Sequence, residues 1–290
     1  MTTSTRHRSN PEARAAKLSA APDRLVEAVT SLTSSEDWLS YLGAMARFHR
    51  YSATNVAMIL SQRPHASQVA GFRTWQALGR QVRKGAKGIA VWAPCTYKVE
   101  RENESGETIE GKALGGFRLA YVFDVADTDG DPLPEAPAAA RAELLTGAAP
   151  VGMRDYLVGQ VEAQGYEVRL VEDLGGPNGR TTWGSRLVEV VTTDRSEAAM
   201  TKTLAHELGH VLLHAGAGGF TCREVAEVEA ESVAYLVGSA FGLDTTDYTL
   251  GYVVNWSGGD HRVVLAVAQR VMNAAAMALA GLDTVGEEGG

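Results

Sequence analysis

Residues 203–214 constrain the fold more than any other part of this sequence. They read TLAHELGHVLLH, with His206 and His210 four residues apart and Glu207 directly after the first histidine. Residues four apart share one face of an α-helix, so both imidazoles can reach one tetrahedral Zn²⁺. The remaining positions are mostly apolar, which is typical of a helix packed into a core. The pattern therefore predicts a zinc site on a buried helix, with His206 and His210 as ligands.

Glu207 predicts the chemistry of this site. A glutamate beside the first ligand can act as general base for a water molecule that the metal activates. Zinc lowers the pKa of such a water to about 7, which provides a nucleophile at neutral pH. The motif thus predicts a zinc metallopeptidase with Glu207 as its catalytic residue and a protein or peptide as its substrate.

The third protein ligand of a catalytic zinc is not fixed by the motif. A histidine six residues after His210 would give the metzincin pattern, but Gly216 stands there, so that class is excluded. The next predicted helix carries four glutamates: Glu224, Glu227, Glu229 and Glu231. We favour Glu231, because the residues after it are small and apolar, as a buried face requires. Glu229 is the alternative, since periodicity alone does not separate the two.

Two other side chains near the motif have simpler interpretations. His214 extends the histidine face by one turn, and we expect it to interact with the carbonyl groups at the C-terminal end of its helix. Tyr235 could donate a hydrogen bond to an oxyanion, but a packing role in the core is favoured.

Charge divides the chain into two dissimilar halves. Residues 1–125 contain 17 Lys and Arg against 11 Asp and Glu, a net charge of +6, whereas residues 126–290 contain 10 against 24, a net charge of −14. Between Trp38 and Val99 there are nine basic residues and no acidic one. A solvated surface usually mixes both signs, so this segment predicts an anionic partner.

Aromatic residues are interleaved with these cations. Basic side chains neutralise phosphates, and aromatic faces stack on unpaired bases. The run from Gly79 to Gly88 contains four cations, among them Arg83, Lys84 and Lys87. Glycines interrupt this run and allow a close backbone approach. The combination predicts a surface for single-stranded nucleic acid, although several of the aromatic residues must belong to a core.

The remaining pattern predicts an α/β (α+β) chain of two domains. Expected helices lie near 38–48, 56–60, 71–80, 151–164, 198–214, 225–242 and 262–280, and expected strands near 89–93, 117–124, 166–171 and 186–191. Polar residues 100–112 predict a long hairpin loop. The predicted organisation is a flexible tail (1–28), an N-terminal domain (29–130), a linker rich in Pro, Ala and Gly (131–150), a C-terminal domain (151–284) and a short tail (285–290).

Residues 186–242 resemble the compact metallopeptidases of the ImmA/IrrE type, in which a strand precedes the active-site helix and a glutamate-bearing helix follows it. The resemblance implies a gluzincin-like peptidase domain. It also implies that His206, His210 and Glu231 bind zinc and that Glu207 is the catalytic base.

Residues 38–128 resemble the N-terminal single-stranded-DNA-binding domain of ArdC-type antirestriction proteins. The matching positions include Tyr51, Asn55, Trp75, Arg80, Lys84 and Lys87. The resemblance implies that these residues, together with Arg83, contact single-stranded DNA. ArdC-type proteins join this domain to a zinc metallopeptidase domain, as is predicted here, and they protect the incoming DNA of mobile elements from restriction. The resemblance therefore also implies that role. The glutamate helix, however, is more similar to the ImmA/IrrE form.

Two alternative functions remain open at this point. The zinc domain could be structural in a non-catalytic, DNA-binding antirestriction protein, or the chain could be a regulatory protease that cleaves a repressor. With two distant cysteines, no signal-like N-terminus and no apolar stretch near the roughly 18 residues of a membrane span, we expect a cytoplasmic protein without membrane contact.

Overall fold

The computed structural model describes residues 35–102, 108–133, 149–215, 222–243 and 260–280. Within these ranges the chain forms two compact units. The first comprises residues 57–133, and the second comprises residues 35–56 with the described residues from 149 onward. The mixture of helices and strands in two units confirms the expected fold class. The expected tails and residues 134–148 of the expected linker lie outside the described residues.

The helices and strands follow one another along both units. The helices are α1 (Ser35–Arg47), α2 (Ala53–Gln62), α3 (Phe72–Ala77), α4 (Met153–Ala163), α5 (Glu197–His214), α6 (Arg223–Phe241) and α7 (His261–Ala278). The strands are β1 (Val69–Gly71), β2 (Arg80–Val82), β3 (Ile89–Glu102), β4 (Thr108–Asp124), β5 (Thr128–Gly130), β6 (Glu167–Val171), β7 (Gly179–Thr182) and β8 (Leu187–Val191). The helices begin and end close to the expected positions, whereas β1, β2, β5 and β7 were not expected.

A three-stranded antiparallel sheet of order β1-β4-β3 forms the centre of the first unit. Side chains alternate between its two faces, and Ile89, Val91 and Val122 are buried on one of them. Gln62, at the end of α2, accepts a hydrogen bond from the Ala90 backbone N–H and donates one to its carbonyl, both at 2.9 Å. These bonds fix the end of α2 to β3.

The short helix α3 has one buried residue, Trp75, whose indole Nε1–H donates to the Phe123 carbonyl of β4 at 2.9 Å. Gly79, with φ of +73°, then turns the chain into β2, which pairs antiparallel with β5. Sequence periodicity does not reveal these two strands, because each is three residues long and rich in polar side chains.

The prediction of a long loop at 100–112 is wrong. Strands β3 and β4 pair through Glu102 and Thr108, so the ladder includes most of that segment. Polarity suggested a loop, but the backbone hydrogen bonds of an antiparallel ribbon do not require apolar side chains.

The second unit contains a small mixed sheet of order β6-β8-β7. Strand β6 runs parallel to β8, and β7 runs antiparallel to it at the edge of the sheet. Val188 and Val190 of β8 are buried, which anchors this central strand to the core. Helix α5 contacts both β7 and β8, and this packing brings the histidine helix next to the edge strand.

Helices α5, α6 and α7 pack against one another beside this sheet. Ser196 caps α5 by accepting a hydrogen bond from the Ala199 backbone N–H at 3.2 Å. Gly209 allows α6 to approach closely, since a Cβ at this position would lie 2.9 Å from the Cα of Ala230. None of the described helices is long and apolar enough to cross a membrane.

Helix α1 belongs to this second unit. Trp38 is fully buried, and its Nε1–H donates to the Ser232 hydroxyl of α6 at 3.0 Å. The Tyr41 hydroxyl donates to the Ala53 carbonyl at 2.6 Å. The expected N-terminal domain at 29–130 is therefore divided between the two compact units, because the apolar face of α1 packs on α6.

Candidate metal centre

The two motif histidines of α5 point towards each other. Their Nε2 atoms are 3.1 Å apart, and their side chains are 20% exposed for His206 and 9% exposed for His210. The helix spacing brings the rings together, as the sequence predicts.

Glu227 of α6 completes a triangle of ligand atoms with these histidines. Its Oε2 lies 3.4 Å from the His206 Nε2 and 3.7 Å from the His210 Nε2. Bonds of about 2.0–2.1 Å to one tetrahedral metal ion would separate neighbouring ligand atoms by roughly 3.4 Å. The donor types and the three edges of this triangle therefore fit a divalent metal ion.

Glu231, the ligand expected from the sequence, lies on the opposite side of His206. Its Oε2 is 2.9 Å from the His206 Nδ1, and its Oε1 is 3.4 Å from the Lys202 Nζ. The small residues after Glu231 show that α6 enters the core there. A metal ligand has to face the cleft, and this position lies one turn earlier on the helix. The half-exposed Glu227 side chain occupies that earlier position. In this geometry Glu231 orients His206 by accepting its Nδ1–H.

Glu229, the alternative ligand, takes part in a different contact. It is buried, its Oε2 is 3.1 Å from the His214 Nε2, and its Oε1 accepts from the Arg270 Nε at 2.7 Å. The Nδ1 atoms of His214 and His210 are 3.0 Å apart. His214 therefore bridges His210 and Glu229, in contrast to the expected contact with helix carbonyls.

This chain of hydrogen bonds has one consistent assignment of protons. If the His210 Nε2 offers its lone pair to a metal, its Nδ1 carries the hydrogen and donates to the His214 Nδ1. The Nε2–H of His214 then donates to Glu229, whose other oxygen accepts from Arg270. Partners of this kind fix the tautomer and orientation of a metal-binding histidine.

Glu207 is buried against the edge strand β7. Its side chain accepts a hydrogen bond from the Thr181 hydroxyl at 2.6 Å. A Cβ at Gly179 would lie 2.6 Å from both the Glu207 Oε1 and the Thr203 Cγ2. A glycine at position 179 therefore allows β7 to pass this close to the carboxylate. Sequence analysis missed Gly179 and Thr181, because the short polar β7 gives no periodic signal.

The electrostatics of the site favour a bound cation. Burial lowers the pKa of His206, but hydrogen bonds with Glu227 and Glu231 and nearby negative charge outweigh it and raise the pKa to about 9. Hydrogen bonds with His206 and His210 bring the pKa of Glu227 far below its usual range. Burial raises the pKa of Glu231, but His206 and Lys202 outweigh it, so the net shift is downward. Both carboxylates are therefore negatively charged at neutral pH.

A cleft of about 800 Å³ opens over these residues. Strand β7 with its flanking loops forms one part of its wall, and α5 and α6 form the rest. Four cations line it although this part of the sequence is acidic: Arg180, Arg195, Lys202 and Arg223. The cleft is large enough for a segment of peptide.

Two family models match separate parts of the sequence, one in each half. Residues 22–123 match the N-terminal domain of anti-restriction factor ArdC. Residues 174–250 match the IrrE N-terminal-like domain, a peptidase family. The chain joins an ArdC-type domain to an IrrE-like domain. The IrrE-like match contains the motif helix, the glutamate helix and the edge strand β7.

Two solved structures of the antirestriction ArdC protein from plasmid R388 are similar in fold. The metal-free structure is 24% identical with a TM-score of 0.52, and the match covers 81% of this chain and 86% of that chain. The Mn(II)-bound structure has the same identity and TM-score, with coverages of 79% and 83%.

A relative in Bacillus anthracis, the uncharacterized protein pXO2-81, is 25% identical over 268 residues. The match covers 81% of this chain and 46% of the relative. The chain therefore spans about half the length of this curated relative.

The structure separates the seven expected DNA contacts of the ArdC-type domain into different environments. Trp75 and Asn55 are buried, and Tyr51 is partly buried. Tyr51 and Asn55 belong to the second compact unit, whereas the other five belong to the first. The indole of Trp75 already donates to a backbone carbonyl, so its surroundings assign it a packing role.

The four expected basic contacts also differ. Arg80 donates from Nε to the Thr128 hydroxyl at 2.8 Å and from Nη2 to the Thr128 carbonyl at 3.1 Å, so it joins β2 to β5. Arg83 is half exposed and pairs with Asp129 at 3.4 Å. Lys84 and Lys87 are exposed in the turn between β2 and β3, and neither forms an ion pair with another described residue.

Proposed function

We propose that the IrrE-like domain is a metal-dependent peptidase with His206, His210 and Glu227 as its ligands. The observation that supports this is the triangle of ligand atoms with Glu207 buried beside it. Glu227 replaces the Glu231 of the sequence prediction, because its carboxylate faces the same nitrogen atoms that the two histidines turn towards each other. Zinc is the proposed metal, since two imidazoles and one carboxylate are a common catalytic zinc set.

Each residue of the site has a defined task in the proposed hydrolysis. A bound Zn²⁺ would supply Lewis acidity and a water of pKa near 7. Glu207 takes a proton from the attacking water and passes it to the amine of the departing peptide. Thr181 holds the Glu207 carboxylate in one orientation. The edge of β7 offers backbone hydrogen bonds to an extended substrate.

Metal analysis of the purified protein tests the ligand set. We expect about one zinc per chain in the wild type, loss of the metal in His206→Ala, and loss in Glu227→Ala. Glu231→Ala serves as the matched variant from the same helix and should retain metal with reduced affinity. Retention in Glu227→Ala with complete loss in Glu231→Ala would restore the original assignment. Because an ArdC relative has a Mn(II)-bound structure, manganese is measured in the same samples.

We also propose that the ArdC-type domain binds single-stranded DNA, which brings the peptidase to its substrate. This is supported by the exposed Lys84 and Lys87 in a turn within the acid-free part of the sequence. Binding should weaken steeply with salt, and Lys84→Glu combined with Lys87→Glu should weaken it further. A matched variant, Arg169→Glu, reverses an exposed cation in the second unit and should bind as the wild type does.

The biological role that we propose is antirestriction in the cytoplasm, on incoming mobile DNA. The relatives from plasmid R388 are named antirestriction proteins. Comparing wild type with Glu207→Gln in cells that receive unmodified DNA separates the candidate functions. Equal protection by both proteins would favour a non-catalytic DNA-binding role, and loss of protection would favour proteolysis. A protein trapped by Glu207→Gln would distinguish a restriction component from a repressor.

A further inference from the structure

One face of the central sheet in the first unit is exposed and aromatic. Phe117, Leu119 and Tyr121 occupy alternate positions of β4 and therefore share a face. Trp92 of β3 lies directly opposite Leu119, which brings it to the same face. Phe117 is 63% exposed and Tyr121 is 42% exposed, whereas Val122 on the other face is 6% exposed. The buried face contributes to the core, whereas Phe117 and Tyr121 on the other face are accessible to a ligand.

The aromatic face continues beyond β4 onto the neighbouring helix. Phe123 follows Tyr121 by two residues, and its ring meets that of Phe72 edge-on at a centroid distance of 6.4 Å. Phe72 begins α3 and is 42% exposed. The aromatic face is thus formed by the rings of Phe72, Trp92, Phe117, Tyr121 and Phe123.

The exposed lysines lie at one end of this aromatic face. Their turn leads directly into β3 through Gly88, and a Cβ at Gly88 would lie 3.0 Å from the Cβ of Tyr121. The chain that carries Lys84 and Lys87 therefore passes against Tyr121. In the same unit, Asp127 pairs with Arg63 and Asp129 with Arg83, so these two carboxylates pair with arginines and not with the lysines. Accessible positive charge thus borders an accessible set of rings.

We propose that the aromatic face is the binding surface for single-stranded DNA, with bases stacked on Phe117 and Tyr121 and phosphates beside Lys84 and Lys87. This inference rests on the proposed DNA binding and replaces the buried Trp75 as the stacking residue. Stacking requires bases with free faces, which single strands offer and duplexes do not. Phe117 and Tyr121 are four residues apart on β4, so they lie roughly 13 Å apart along the strand, about four times the base step of a duplex. A single strand is not held at that short step and can extend to bridge the distance.

A double variant, Phe117→Ala with Tyr121→Ala, tests the aromatic face by fluorescence anisotropy with a labelled oligothymidine. Loss of two stacked bases should weaken binding by at least about ten-fold. The slope of log K against log salt concentration should stay unchanged, since no cation is removed. Replacing Lys84 and Lys87 by Met should instead make that slope shallower by about 1.4, at about 0.7 per phosphate contact. This difference in slope separates stacking from charge.

Three controls make the outcome decisive. Leu170→Ala removes an equally exposed apolar side chain from a strand of the second unit and should bind as the wild type does. Tyr121→Phe, with Phe117 unchanged, keeps the ring and should bind oligothymidine as the wild type does. Thermal unfolding checks that the double variant is folded.

The results distinguish this inference from the function on which it rests. If wild type binds oligothymidine and the folded double variant binds it equally well, the aromatic face is not the DNA surface, and the proposed DNA binding stands. If wild type binds no single strand, both fail. Tighter binding to oligouridine, or equal binding to duplex, would overturn single-stranded DNA as the ligand of this face.

Discussion

The candidate metal centre and the turn that carries Lys84 and Lys87 hold their functional side chains in opposite ways. Three functional groups of the candidate metal centre have a second partner behind them: Glu231 for His206, His214 for His210, and Thr181 for Glu207. In the turn, Lys84 and Lys87 extend into solvent without an ion pair to any described residue. Metal binding and proton transfer depend on fixed distances, whereas neutralising a phosphate chain depends mainly on charge. We therefore expect substitutions to act through geometry in one region and through charge in the other.

The largest effect should come from the proposed base. Glu207→Gln should reduce the rate of peptide cleavage by about 10²–10⁴-fold, because the amide no longer accepts the proton of the attacking water. Metal content and oligothymidine affinity should match those of the wild type. Cleavage of a fluorogenic peptide library measures the rate, and a variant that retained full activity would exclude Glu207 as the base.

A second prediction concerns the hydrogen-bond chain behind His210. His214→Leu should weaken metal affinity by about 10–100-fold, because His210 loses the partner that fixes its ring. His214→Asn restores an acceptor near the His210 Nδ1 and should recover part of that loss. Competition with a chelator measures the affinity, and the absorption spectrum of the Co²⁺-loaded protein reports the geometry. Wild-type affinity in the leucine variant would assign His214 to packing.

Alanine substitutions at two glycines, one in each region, compare how tightly the backbone is packed there. Gly209→Ala should destabilise the protein by about 1–3 kcal/mol, because its Cβ would meet the backbone of α6. Gly85→Ala meets no atom within 4 Å, so its cost is the strain of φ at +88°, about 1 kcal/mol. Urea unfolding of both variants gives the two free energies of unfolding. A larger loss for Gly85→Ala would reverse our ranking of the two regions.

The smallest expected effect is that of Thr181→Val, which keeps the shape of the side chain and removes one hydrogen bond to Glu207. A net contribution of about 0.5–1.5 kcal/mol corresponds to a decrease in kcat of roughly 2–12-fold. KM should change little, because the hydroxyl orients the base rather than the substrate. A change confined to KM would mean that Thr181 contacts the substrate instead.

The sequence predicted the parts of the site that depend on local spacing. Four residues of helix bring His206 and His210 together regardless of what packs around them, and Glu207 follows from the same motif. The choice between Glu227 and Glu231 depends on how α6 is rotated and shifted against α5, and that follows from tertiary contacts such as Gly209 on Ala230. Thr181 comes from a strand too short and polar to recognise.

The expected DNA contacts illustrate the same limit. Composition identified an aromatic and basic segment, but it could not divide the rings between core and surface. Trp75 and Trp38 are buried, whereas Phe117 and Tyr121 are exposed although the pattern of their strand predicts a core position. Their exposure follows from the side of the sheet that each residue occupies, and this depends on the register of β3 against β4.

The contact between Arg270 and Glu229 has a consequence for the boundaries of the proposed catalytic domain. The IrrE-like match ends at residue 250, yet the guanidinium that pairs with the buried Glu229 comes from α7, beyond that end. A protein fragment cut at residue 250 would contain every proposed ligand and the proposed base. It would also leave a buried carboxylate without its counter-charge next to His214, which is costly in a low-dielectric interior. The smallest autonomous form of this centre therefore extends at least through α7.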